Sequence, residues 1–220
     1  MKQRLVLASG SPRRRQLLAL LGLPFEVCTA DVEEHPQDGE FPRDLVRQLS
    51  EDKVRAVADK ACSEWIVGAD TIVVLDDEVL GKPSDADAAL HMLRRLRNRE
   101  HQVYTGISVL NLVTGDRFGA VVESTVWMRD YSDAEMMAYA SSGEPLDKAG
   151  AYAIQDAIFD PVERVEGCYA NVMGLPLCHL YRLLADAGVD VGAPPAAACD
   201  AFMGRRCLVA KGILTPGKRL

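Results

Sequence analysis

The chain has no GxGxxG run and no GxxxxGK[ST] run, so neither a dinucleotide-binding Rossmann turn nor a P-loop is available to hold a phosphate. It has no apolar stretch near the ~18 residues of a membrane span. The apolar run at the N-terminus is only a few residues long, too short for a secretory signal, so the expected compartment is the cytoplasm. Net positive charge is also lacking. A formal charge of −7 argues against broad binding to nucleic acid or to a membrane surface. Four histidines lie far apart with no companion serine or cysteine motif, which removes a nucleophile relay. The six cysteines (Cys28, Cys62, Cys168, Cys178, Cys199, Cys207) show no CxxC or Cys/His spacing, so they read as free thiols rather than zinc ligands or a disulfide framework.

What is present is an ordinary globular composition, 48% apolar and 26% charged over 220 residues, enough for a well-buried α/β core. Leu5 to Ala8 read as a buried strand and Pro12 to Leu21 as a helix, with Ser11 suited to the N-cap and Pro12 to the first helical position. Phe25 to Cys28 suggest a second strand, Asp31 to Phe41 an acidic loop, and Pro42 to Lys60 an amphipathic helix. Trp65 to Ala69 predict a strand ending at Asp70-Thr71, continued by Ile72 to Leu75. Leu80 to Ser84 form a tight loop, with Ser84 placed to cap the next helix. Gln102 to Leu112 and Phe118 to Met128 flank Thr114-Gly115-Asp116, the pattern of a long antiparallel hairpin. Ser132-Asp-Ala-Glu135 is a capping box. Gly150 to Gln155 and Phe159 to Val165 read as further strands, and Leu175 to Ala187 as a last helix. The expectation is an α/β fold: a mixed, partly antiparallel twisted sheet flanked by helices, in one elongated domain with a cleft. That domain is expected over residues 1–190, with 191–220 a linker and basic tail.

Five clusters carry candidate chemistry. Ser9, Ser11, Arg13, Arg14 and Arg15 bring hydroxyls, guanidiniums and a helix N-terminus together after a strand, which suits a phosphate chain. A solvated helix face is the plainer reading. Asp70 in Gly68-Ala-Asp-Thr-Ile is a carboxylate on an apolar strand, costly unless paired, and so a candidate metal ligand or proton acceptor. A turn-capping aspartate is the alternative. Lys82 is aimed by its Gly and Pro neighbours, though it also reads as a surface lysine. Asp31-Val-Glu-Glu34 offers hard oxygens for Mg²⁺ or Mn²⁺, and Lys53 follows on the next helix. In Gly143 to Gln155, Asp147 and Lys148 occupy a Gly/Pro-bounded loop and Gln155 can read a base edge. Asn171 and Gly174-Leu-Pro read as structural.

Several runs in order resemble the Maf family of septum-formation-inhibitor-like nucleoside triphosphate pyrophosphatases. They are Leu7-Ala-Ser-Gly-Ser-Pro-Arg-Arg, Val67-Gly-Ala-Asp-Thr-Ile-Val-Val, Leu80-Gly-Lys-Pro, His101-Gln-Val-Tyr-Thr-Gly, Gly143 to Gln155, and Asn171-Val-Met-Gly-Leu-Pro-Leu, together spanning roughly residues 4 to 187. The resemblance implies a Maf/ITPase-like fold and metal-dependent hydrolysis of a nucleoside triphosphate to the monophosphate and pyrophosphate. It puts the water-activating acid on Asp70 and substrate specificity on Arg13, Thr71 and Gln155, the pattern of the branch that acts on dTTP and UTP. Phosphate contacts map to Ser9, Arg14, Lys53 and Lys82, and the divalent cation (Mg²⁺ or Mn²⁺) to Glu34 and Asp70. It favours a homodimer. Two other functions stay open at this point: a non-catalytic nucleotide-binding regulator of septum formation, and house-cleaning of non-standard triphosphates. The sequence departs from the family after Gln155, where Asp156-Ala157-Ile158 replace a glycine-rich turn. An added carboxylate there is expected to reshape a base pocket.

Overall fold

The computed structural model describes residues 4–29, 32, 41–61 and 63–215. Strand β1 (Leu5–Leu7) runs into α1 (Pro12–Ala19), which returns through β2 (Phe25–Val27) to α2 (Pro42–Ala58). Ser11 caps α1 as expected, its side chain accepting from the Arg14 N–H. The central strand β3 (Trp65–Leu75) is followed by the short β4 (Glu78–Leu80) and α3 (Ala86–Leu96). The hairpin forms from β5 (Glu100–Asn111) and β6 (Arg117–Met128), with Gly115 in the left-handed region at φ 78°. After α4 (Asp133–Ser141) come two 3₁₀ turns at Glu144–Asp147 and Ala149–Ala151, then β7 (Val162–Glu166), α5 (Tyr169–Val172) and α6 (Leu177–Asp186). Two short helices, α7 (Ala196–Met203) and α8 (Ala210–Leu214), close the described chain.

Seven strands make one sheet in the order β2-β1-β3-β5-β6-β7, with β4 also on β3. The first three of that order run parallel and the rest antiparallel, so the sheet is mixed. Helices cover both faces. The odd-numbered residues of β3 (Trp65, Val67, Ala69, Val73, Leu75) join the main core with Leu17, Leu93 and Leu180. The even-numbered Ile66, Ile72 and Val74 pack under α2 with Val54, Leu45 and Leu49. α2 lies very close to this face. A Cβ on Gly68 would sit 2.6 Å from the Ser50 carbonyl oxygen, and one on Gly106 would sit 2.1 Å from that of Val46.

Four sequence expectations change. Asp70 lies in the middle of one unbroken strand, because β5 pairs with β3 continuously from Trp65 to Val74. Asp85 rather than Ser84 caps α3: its carboxylate accepts from the Ala88 N–H, and the Ser84 hydroxyl donates to that carboxylate. Gly150 to Gln155 is not a strand, since Gly150 (φ 70°) and Ala151 (φ 60°) both take left-handed conformations that turn the chain out of extended geometry. Residues read as linker and tail carry α7 and α8, anchored by buried Val191, Cys199 and Ala210 and by the Arg182 guanidinium on the Ile213 carbonyl at 3.0 Å. Three spaced anchors leave no apolar periodicity to read.

Candidate active site

The site follows from how β3 is paired. One edge of β3 is covered throughout by β5. The other edge holds β1 only at Trp65 to Val67, and β4 only at Val73 to Leu75. Residues 68–72 of that edge therefore have no strand alongside among the described residues. The chain of β1 leaves the sheet through Ser9 and Ser11 into α1, and a cavity of about 810 Å³ opens in the gap. That is the size of a ligand site, and the interruption of the sheet edge is what makes room for it.

The cavity wraps around this open edge, so it takes side chains from both faces of the sheet. Ser9, Arg13, Arg14, Lys53, Asp70, Thr71, Lys82 and Gln155 all line it, residues spread over almost 150 positions of sequence. Glu34 and its acidic loop lie outside the described residues, apart from Val32, which lines the cavity. Arg15 is exposed and does not line it.

On the α2 face, Asp70 is 3% exposed and Lys53 donates from its ammonium to Asp70 Oδ1. The second oxygen, Oδ2, is buried and accepts no hydrogen bond among the described residues. A buried carboxylate is tolerated only when paired, and here the pairing is half complete. The close seat of α2 on Gly106, the residue directly across from Asp70 in β5, is what lets Lys53 reach that carboxylate.

On the other face most polar groups bond to one another, although Asn171 Oδ1 is buried and accepts no hydrogen bond among the described residues. Arg14 donates from Nε to the Gly174 carbonyl (2.9 Å), from Nη1 to Ser9 Oγ (3.2 Å) and from Nη2 to Thr71 Oγ1 (3.1 Å). Thr71 shares a 2.9 Å contact with Thr105, whose hydroxyl donates to the Asn171 carbonyl. Asn171 in turn donates to the Val103 carbonyl and to Ser124 Oγ, at 3.0 Å each. Arg14 is thus a brace between α1, β3 and the Gly174 turn, a structural part beside the phosphate contact expected of it. Gly174 (φ 103°) allows the close approach, since a Cβ there would meet Arg14 Nε and Thr71 Oγ1 at 3.3 Å.

At the mouth, Arg13 lies 3.8 Å from Asp147, which also accepts from Lys148 at 2.6 Å. Burial pushes the Asp147 carboxyl up, but the Lys148 and Arg13 cations more than offset this and hold it below its ordinary value. Lys82 and Gln155 are exposed at the rim. The loop carrying Lys82 is tied down by the Gly150 N–H donating to the Gly81 carbonyl at 3.0 Å. Asp156 does not point a new charge into the pocket. Its Oδ1 accepts from the Ile158 and Phe159 N–H groups, so the carboxylate holds the turn that glycines would otherwise allow.

Thr105 and Gly106 belong to the family-like run His101 to Gly106, but no role followed for them from the sequence, nor did the linking role of Asn171. One signal was the glycine at the middle of a strand, where a close backbone approach is the common reason for it.

A mixed sheet interrupted beside an acid, with arginines, lysines and hydroxyls around one large cavity, defines an anionic-ligand enzyme of the α/β class. The family described as Maf-like protein matches residues 4–187, and the chain belongs to that family. Among its relatives is the dTTP/UTP pyrophosphatase of Dehalococcoides mccartyi (strain BAV1), 45% identical over 84% of this chain and 83% of that protein. The dTTP/UTP pyrophosphatase of Geobacter sulfurreducens is 45% identical over 85% of this chain and 98% of its own. That of Dictyoglomus turgidum is 45% identical over 87% and 100%. No helix among the described residues is long and apolar enough to cross a membrane.

Proposed function

We propose that the chain hydrolyses nucleoside triphosphates, dTTP and UTP in preference, to the monophosphate and pyrophosphate. The observation that carries this reading is the convergence of Asp70, Lys53, Arg13, Arg14, Lys82 and Gln155 on one cavity at the open edge of β3. The triphosphate lies against the first turn of α1, with Ser9 and Arg14 on its phosphates and Arg13 and Lys82 offsetting charge at the mouth. Gln155 and Thr71 border the base and sugar end, and with Arg13 they select the pyrimidine. Asp70 takes a proton from the water that attacks the α-phosphorus, and pyrophosphate leaves. Lys53 pairs with that carboxylate and aims it. Phosphoryl chemistry needs little covalent help, so positioning and charge supply most of the rate.

The residues suit a divalent cation. A buried carboxylate oxygen of Asp70 lacks a partner, and no group of three His, Cys, Asp or Glu side chains among the described residues forms a complete cage. Mg²⁺ and Mn²⁺ are held in this way, by one or two carboxylates plus substrate phosphates. Asp70 and Glu34 would hold the ion, and when bound it supplies charge neutralisation at the phosphates. Site occupancy as a cytoplasmic homodimer is the setting in which we place this activity.

The test is pyrophosphate release from dTTP, UTP, ATP and GTP with Mg²⁺ or Mn²⁺. Asp70→Asn should keep the fold by circular dichroism and lower turnover by about a hundredfold or more. Triphosphate binding without pyrophosphate release by the unaltered protein would overturn the reading in favour of a binding-only regulator.

A further inference from the structure

A line of contacts among the described residues leads from the chain beyond residue 187, outside the family match, toward the site. It begins at the end of α7. Gly204 turns left-handed (φ 63°) and stops the helix. The Arg205 N–H then donates back to the Asp200 carbonyl at 3.2 Å, and the Cys207 N–H to Asp200 Oδ1 at 2.8 Å. These bonds fix the backbone on both sides of Arg205, while buried Cys199 and the partly buried Met203 and Val209 pin the segment to the main core. Arg205 is thereby aimed, and its guanidinium carbon lies 4.9 Å from the centre of the Tyr169 ring.

Tyr169 opens α5 and does not line the cavity. Its hydroxyl donates to the Ile154 carbonyl at 3.1 Å. Ile154 immediately precedes Gln155, in a stretch that belongs to no strand. With no ladder to hold it, this stretch is positioned by the buried Tyr152 and Ile154 side chains and, among the described residues, by scattered bonds that include the Tyr169 hydroxyl on the Ile154 carbonyl, the Ala153 N–H donating to the Tyr139 hydroxyl at 3.1 Å, the Tyr152 hydroxyl against His101 Nε2 at 2.8 Å, and the Asp156 N–H on the Ala153 carbonyl. An arginine over the ring restrains the tyrosine, and the tyrosine restrains the peptide that carries Gln155.

We infer that Arg205 and Tyr169 are positioning residues for nucleobase selection, through which the C-terminal helical segment sets the placement of Gln155. The inference rests on the base-reading role proposed for Gln155. It gives the segment beyond the family match a part in choosing among triphosphates without touching the substrate.

The test compares the full-length protein with Tyr169→Phe, Arg205→Ala, the double variant and Gln155→Ala, using pyrophosphate release from UTP, dTTP, ATP and GTP. Tyr169→Phe keeps the ring under Arg205 and removes only the hydroxyl. It should raise KM for UTP about three- to tenfold and reduce the preference for UTP over GTP by a similar factor, with kcat changed less than about twofold. Arg205→Ala should do the same more weakly, about two- to threefold, and Arg205→Lys should recover part of that. In the Tyr169→Phe background Arg205→Ala should add nothing further, since its effect passes through the hydroxyl. Unchanged KM and preference in both single variants, additive effects in the double variant, or an equal loss of kcat on every triphosphate would each overturn the inference. If Gln155→Ala alters base preference while these variants do not, the inference falls and the reading of Gln155 stands. If Gln155→Ala leaves base preference untouched, the reading of Gln155 falls and takes the inference with it.

Discussion

Asp70 and Thr71 are neighbours on one strand, yet the protein treats them in opposite ways. Asp70 faces α2 and pairs with Lys53, and its second oxygen accepts no hydrogen bond among the described residues. Thr71 faces α1 and α5, and its hydroxyl enters a chain of bonds that runs from Arg14 through Thr105 to Asn171. The first side holds a group short of partners, which is what a proton acceptor or metal ligand requires. The second side holds a scaffold in which most polar groups are spoken for. Strand alternation places the two chemistries back to back, and the missing strand at residues 68–72 opens both to the same cavity.

The largest effect should come from breaking the sparse side. Lys53→Met leaves Asp70 buried without its cation, and breaking a buried pair from one end costs about 3–5 kcal/mol. Adding Asp70→Asn removes the stranded charge and should return most of that stability while activity stays lost. Urea unfolding of the two variants measures this. Equal destabilisation in both would mean that the pair is ordinary packing and that the contrast between the faces is false.

Next comes Gly106, which joins the two sides, being opposite Asp70 in β5 and directly under α2. Gly106→Ala forces a Cβ into the Val46 carbonyl, so α2 must lift. Overpacking of this kind costs about 1–3 kcal/mol. The helix carries Lys53 with it, so turnover should fall along with stability. An alanine variant with normal turnover would show that Lys53 reaches Asp70 without the close seat of α2. On the knit side, Thr71→Val keeps the shape and removes one hydroxyl from between Arg14 and Thr105. We expect a loss of about 1–2 kcal/mol, the cost of leaving buried partners unpaired. A shift in substrate preference larger than the stability change would favour direct contact between Thr71 and the nucleotide.

The sequence made one half of this arrangement easy to see. The strand-turn-helix of Leu5 to Leu18, the Ser132–Glu135 capping box and the hairpin around Gly115 are local patterns, and each formed as read. Asp70 and Lys82 could be named because charged residues among apolar or glycine-flanked neighbours stand out, whereas Lys53, in the charged run Glu51-Asp-Lys-Val-Arg55, was marked only by the family resemblance. What could not be seen depended on distant contacts. The Arg14 brace joins residues 160 positions apart, and nothing near Arg14 announces Gly174. The Gly150 to Gln155 stretch has strand-like composition, and only its left-handed turn at Gly150 and Ala151 takes it out of the sheet. The last helices are held by a few anchors and so looked like a tail.

A last contrast between the two faces is read by pH. His101 lies on the Thr71 face, fully buried, with Nε2 2.8 Å from the Tyr152 hydroxyl. Burial lowers its pKa from 6.5 to about 3, so it stays neutral in the folded protein across mildly acidic pH. Burial likewise lowers His179 to about 4. Between these values and 6.5 the unfolded chain binds more protons than the folded one, so stability rises with pH. The contribution is fully present above about pH 6.5 and is lost as pH falls toward 3. Each such histidine gives a slope of up to about 1.4 kcal/mol per pH unit inside the window. Denaturant midpoints taken from pH 7 to pH 5, above most carboxylate titration, should therefore fall for the unaltered protein. His101→Gln keeps a polar partner for Tyr152 but cannot titrate, so its slope should drop by about half, with His179 supplying the remainder. An unchanged slope in that variant would mean that the knit face does not depend on a neutral imidazole. Acid sensitivity would then have to come from other groups.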